Sequence, residues 1–112
     1  MVELSRVIVA RRIEDREPVG LAPFDGDVDE LFVFLDARND GAPATLQVRW
    51  DAPDGTPGRA IDLQVPTARR WRTWATTNRV RGRAGTWTVV VTDASGREIA
   101  RRSFTVDAPA AS

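Results

Sequence analysis

The chain has 112 residues, enough for one domain with a buried core and too few for two. Its sixteen basic residues are all Arg and balance sixteen acidic ones, which excludes the broad positive field of a non-specific nucleic-acid or anionic-membrane binder. Cys, His and Tyr are absent, so disulfides, thiolate metal sites, thiol nucleophiles and His-dependent triads are excluded.

A hydrophobic fraction of 42%, with four Trp and four Phe, is that of a folded globular chain. Glu3, Arg6, Arg11 and Arg12 interrupt the first segment, which therefore reads neither as a signal peptide nor as a membrane span. As it stands the chain reads as cytoplasmic and free of direct membrane insertion. A piece of an exported or membrane-tethered parent would look the same.

Apolar residues alternate with period two and nowhere recur with helical spacing, so strands are expected throughout. The first runs from Arg6 to Ile13 and gives way to a loop marked by Pro18 and Gly20. In the second, Glu30 to Ala37, Leu31, Val33 and Leu35 share one face and Phe32 and Phe34 the other, so both faces need cover. The third, Thr45 to Asp51, points Leu46, Val48 and Trp50 inward and Gln47 and Arg49 outward. The turn formers of 53–58 reverse it into a fourth strand carrying Ile61, Leu63 and Val65.

A fifth strand follows from Arg70 to Thr77, a sixth from Thr86 to Asp93 and a seventh from Glu98 to Val106. About seven short strands at this spacing predict an all-β, immunoglobulin- or fibronectin-like antiparallel sandwich. It is expected to occupy residues 1–107, with 108–112 as a flexible tail. Its core should hold Val48, Trp50, Leu63, Trp87, Val89 and Phe104.

The run Arg72–Thr73–Trp74, then Gly85–Thr86–Trp87–Thr88–Val89, the turn Asp93–Ala94–Ser95–Gly96 and the closing Phe104–Thr105–Val106 resemble the bacterial domain-of-unknown-function family DUF2914. Asp15–Arg16–Glu17–Pro18–Val19, Phe32–Val33–Phe34 and Val48–Arg49–Trp50 extend the resemblance over nearly the whole chain. Two departures stand out: Val48 where the family commonly has His, and Ala75 where Ser is usual. No site is carried over from either. The resemblance implies an accessory β-sandwich attached to a larger protein, and implies no activity.

Arg69, Arg70, Arg72, Arg79, Arg81 and Arg83 crowd into fifteen residues with Trp71 and Trp74 and without an acid. That mixture suits anions or aromatic stacking; its plainer reading is a solvated face whose Arg stems cover Trp74. Strand alternation puts Arg70, Arg72 and Trp74 on one face, and these three are the candidate ligand-binding residues. Residues 14–40 are conversely acidic, which provides either a second docking surface or internal partners for the Arg cluster. Asp25, Asp27 and Asp29, with Asp36 eleven residues after Asp25, echo a calcium loop, but Glu30 stands where the loop needs Gly and no helices flank it.

These readings give a non-catalytic accessory or protein-interaction domain, with no catalytic residue, metal or cofactor assigned. A protein partner or self-association is expected, and no specific nucleic acid. The alternative is a module that binds an anionic or carbohydrate ligand through the Arg70, Arg72 and Trp74 face.

Overall fold

In a computed structural model that describes residues 2–108, the chain forms eight strands and no helix. They are β1 (Val2–Glu14), β2 (Glu17–Leu21), β3 (Leu31–Asn39), β4 (Ala44–Asp51), β5 (Ile61–Val65), β6 (Ala68–Thr77), β7 (Gly85–Thr92) and β8 (Glu98–Val106). The tail expected over 108–112 lies, from residue 109 on, outside the described residues. Two antiparallel sheets, ordered β2-β1-β3-β6 and β5-β4-β7-β8, pack together as a sandwich.

The core follows the alternation. Leu31, Val33 and Leu35 of β3 face Leu46 and Val48 of β4 and Val89 and Val91 of β7, all fully buried. Val48, Trp50, Trp87, Val89 and Phe104 are buried as expected, but Leu63 is only half-buried. β5 is an edge strand, and a side chain there has neighbours on one side only. Phe104 makes edge-to-face contacts with Phe24, at 5.7 Å, and Trp50, at 5.9 Å. Phe24 lies in the long 22–30 connection, which is clipped to β8 by Phe24 N–H to Thr105 O at 3.1 Å and Asp107 N–H to Phe24 O at 2.8 Å.

The crossover from β3 to β4 is secured by a buried side chain with its polar atoms satisfied. Asn39 Nδ2 donates to Ala42 O at 2.9 Å and to Val65 O at 3.2 Å, and Oδ1 accepts from the Gly41 N–H at 3.0 Å.

β2 corrects the expected loop. β1 runs on to Glu14 and returns after the two residues Asp15 and Arg16, with φ of 49° and 59°. Two left-handed residues in a two-residue hairpin make a type I′ turn, for which Asn-Gly is preferred and Arg is a costly choice. Pro18 is tolerated because β2 is an edge strand whose second side makes no ladder bond.

The hairpin does not extend flat from the sheet. Ala10 is the last β1 residue paired with β3 and the first paired with β2. Glu17 pairs with Glu14, eight residues of strand from Arg6, or roughly 26 Å at ~3.3 Å per residue. Yet Glu17 Oε1 and Arg6 Nη1 are 2.9 Å apart, which the reach of the two side chains cannot provide along a straight strand. β1 therefore bends after Ala10 and carries the β1–β2 turn back across the outer face of its own sheet. The bend accounts for Phe34, which points away from the core and is still 0% exposed, with the Arg6 guanidinium 4.8 Å above its ring.

Candidate functional site

The outer face of the β2-β1-β3-β6 sheet carries two cross-strand rows. Register places Ile8, Phe34 and Trp74 in one row and Arg6, Asp36 and Arg72 in the next. Arg70, two residues before Arg72, points the same way and reaches Asp36 diagonally. The expected grouping of Arg70, Arg72 and Trp74 on one strand face is what the ladder produces.

Their electrostatic state differs from a free cationic face. Asp36, with only 8% of its side chain exposed, accepts from Arg6 at 3.1 Å and from Arg70 at 3.2 Å. Glu17 takes both Arg6 terminal nitrogens, at 2.9 and 3.0 Å, and Arg72 Nη1 at 2.9 Å. The two carboxylates thus string three guanidiniums into one chain of charge-assisted bonds, Arg70–Asp36–Arg6–Glu17–Arg72. The acidic early segment and the basic strand pair with each other, and Arg81 and Asp29 repeat the pattern at 3.0 Å.

Hydrogen bonds from Arg6, then Arg72, hold the Glu17 carboxyl at about 2, against an ordinary value of 4.5. A depressed value means that Glu17 contributes in full above pH ~4.5 and progressively less as pH falls through about 2. We therefore expect hydrogen-exchange protection of the β2 amides, corrected for intrinsic exchange rates, to be constant from pH 7 to 5 and to weaken below 4.5. In Glu17→Gln the protection should be lower at neutral pH and lack this titration.

Beyond the paired cations lies a shallow cleft of about 380 Å³ lined by Arg16, Arg70, Trp71, Arg72 and Trp74. Trp74 and Trp71 are 37% and 40% exposed, although strand alternation sends them opposite ways. β6 is the sheet edge, so neither indole is closed in by a next strand. Arg16 enters this cleft from the β1–β2 turn, and its carbonyl accepts from Arg72 Nη1 at 3.4 Å. Among the described residues Arg16 is in no ion pair, unlike Arg70 and Arg72. Sequence spacing could not place Arg16 here, because its position depends on the bend after Ala10. The left-handed φ of Arg16 was likewise hidden, since nothing in Asp-Arg signals a tight turn.

The acidic run does not form a converging carboxylate cage: Asp36 is turned to Arg6 and Arg70, and Asp29 to Arg81. Among the described residues no group of three potential ligands is placed to hold a metal ion.

Comparison with known families finds a match to "Protein of unknown function (DUF2914)" over residues 43–106, more than half of the chain. The match spans the strands from β4 to β8 and begins after Asp15–Val19 and Phe32–Phe34, so it is shorter than the resemblance read from the sequence. No curated protein matches the chain. The two departures, Val48 and Ala75, are both buried core positions, 0% and 5% exposed.

Proposed function

This chain belongs to the DUF2914 family of proteins of unknown function, and we propose that it is a non-catalytic interaction domain whose docking surface is the cleft along β6. The observation that carries the reading is the pair of exposed indoles: Leu21, Trp71 and Trp74 are the exposed large hydrophobics among the described residues, and both Trp line the same Arg-rich cleft. Trp and Arg are the side chains most enriched where binding energy concentrates.

The partner that suits this surface is an extended acidic segment of another protein. β6 pairs with β3 on one side only and offers main-chain groups on the other. Arg16 supplies the unpaired charge, and the two indoles supply apolar contact for alternate side chains. Reaction chemistry has little support: the carboxylates of this face are bound to Arg, and the chain lacks His, Cys and Tyr. A free anionic or carbohydrate ligand is the second reading, favoured by the two indoles. Self-association is the third.

The test uses an acidic peptide alternating Asp or Glu with Leu, titrated into wild-type protein and into Trp71→Ala and Trp74→Ala. Loss of either indole should weaken binding about tenfold or more. Salt should weaken it further, since exposed charges are screened over about 8 Å at physiological ionic strength. Replacing Arg70, Arg72 and Trp74 together would be a poor probe, because Arg72 also latches the hairpin through Glu17. Peptide binding indifferent to both indoles and to salt would remove the proposal; binding of a neutral oligosaccharide instead, lost in the same variants, would establish the second reading.

A further inference from the structure

A second concavity, independent of the β6 cleft, opens at the end of the sandwich where β4 finishes and β7 begins. It has a volume of about 580 Å³, within the range of sites that enclose small organic ligands. Trp50 and Trp87 form part of its wall, and Arg59, Arg79, Arg83 and Glu30 reach its rim.

The polar groups there are unbalanced in two ways. The first is charge. Three Arg face one Glu, and among the described residues Arg59, Arg79 and Arg83 are in no ion pair, in contrast to the Arg residues of the β6 face. Asp54, held at its own turn by the Thr56 N–H at 2.9 Å, feels Arg83 without pairing with it. Arg83 is also fixed in place: its guanidinium lies 5.1 Å from the Trp87 ring centre, and its carbonyl accepts from Trp87 Nε1 at 2.8 Å. A cation stacked on an aromatic face keeps its N–H edge directed outward for an anion.

The second imbalance is a missing acceptor. Trp50 is 4% exposed, and its Nε1 is buried with no hydrogen-bond partner among the described residues. Buried indole N–H groups ordinarily find one, as Trp87 does. Trp50 lines the cavity, so its orphan donor is available to an oxygen supplied from outside the chain if the wall shifts on binding.

We propose that this cavity binds an organic carboxylate with an apolar body. The carboxylate lies against Arg79 and Arg83, and the body packs along the wall to which Trp50 and Trp87 contribute, with Trp50 Nε1 as a donor that a shift of that wall on binding would open to a ligand oxygen. The aromatic walls favour an organic acid over inorganic phosphate. A small-molecule acid and the free C-terminus of a peptide share this chemistry.

The experiment follows tryptophan fluorescence in a Trp71→Phe, Trp74→Phe background, where Trp50 and Trp87 are the emitters. The probes are 3-phenylpropionate, a tetrapeptide ending in Phe with a free carboxylate, the same tetrapeptide as its amide, and inorganic phosphate. Saturable quenching by an acid is expected, weakened about tenfold by Arg83→Gln or Arg79→Gln and by Trp50→Phe, and unchanged by Arg16→Gly. Tighter binding of the free-carboxylate tetrapeptide than of its amide assigns the site to a chain end; binding of 3-phenylpropionate alone assigns it to a small molecule. Either result supports the site. No saturable quenching, equal competition by phosphate, or affinities untouched by the two Arg variants would overturn it. Circular dichroism of each variant verifies that the sandwich is intact, and the Arg16→Gly arm separates failure here from failure of the β6 reading.

Discussion

Trp87→Ala should lower stability by roughly 3–5 kcal/mol, which is most of the margin of a small domain. Trp87 is 2% exposed and stands opposite Phe104 in the β7–β8 ladder. Its removal opens a cavity between the sheets and takes away the donor that anchors the 78–84 loop through Arg83 O. Two losses therefore coincide, one of packing and one of a hydrogen bond. Trp87→Phe, which keeps a ring but loses the donor, should cost about 1–2 kcal/mol. Urea unfolding measures both. A Trp87→Ala protein that melts within a few degrees of the parent would show that this face is not the centre of the core.

Gly58→Ala should be the most damaging of the glycine substitutions in the 52–60 connection, at about 3 kcal/mol. A Cβ at Gly58 would sit 2.4 Å from Trp50 O, with Trp50 C at 3.3 Å and N at 3.4 Å. All three are backbone atoms, so no rotamer change relieves the clash, and the connection must lift from β4. Gly55 is the comparison: its φ is +88°, but nothing lies within 4 Å of an added Cβ. Gly55→Ala should cost only the left-handed penalty, about 1–2 kcal/mol. Equal losses in the two variants would mean that the connection is free to move and that Gly58 does not hold it against Trp50.

Seven of the eight strands were legible because their signal is local. Leu46, Val48 and Trp50 alternate with Gln47 and Arg49, and that pattern alone puts the first three inside. The doubly apolar β3 was legible as a covered strand, although not what covers it. β2 was not legible: Pro18 and Gly20 are loop residues in most contexts, and only its place at the sheet edge makes them strand residues.

The candidate site divides in the same way. Arg70, Arg72 and Trp74 share a face because strands alternate, which sequence shows directly. That Arg70 and Arg72 are already paired, and that Arg16, in no ion pair among the described residues, lies beside the two indoles, depends on contacts across 34, 55 and 56 residues. No local pattern encodes such distances. Trp71 also escaped alternation: it points to the core side of β6 but overhangs an edge, so it is 40% exposed.

Arg16→Gly gives the most direct test of the β6 cleft as the docking surface, because it separates binding from stability. The backbone at Arg16, with φ of 59°, prefers Gly, whereas Arg16 lines the cleft and its charge is the one proposed to meet the peptide. Thermal unfolding and acidic-peptide affinity are to be measured on the same Arg16→Gly preparation. The expected result is a midpoint unchanged or raised by a few degrees, consistent with roughly 1 kcal/mol of relieved strain, together with affinity reduced about tenfold. Undiminished affinity in a protein of equal or greater stability would contradict the assignment of the cleft.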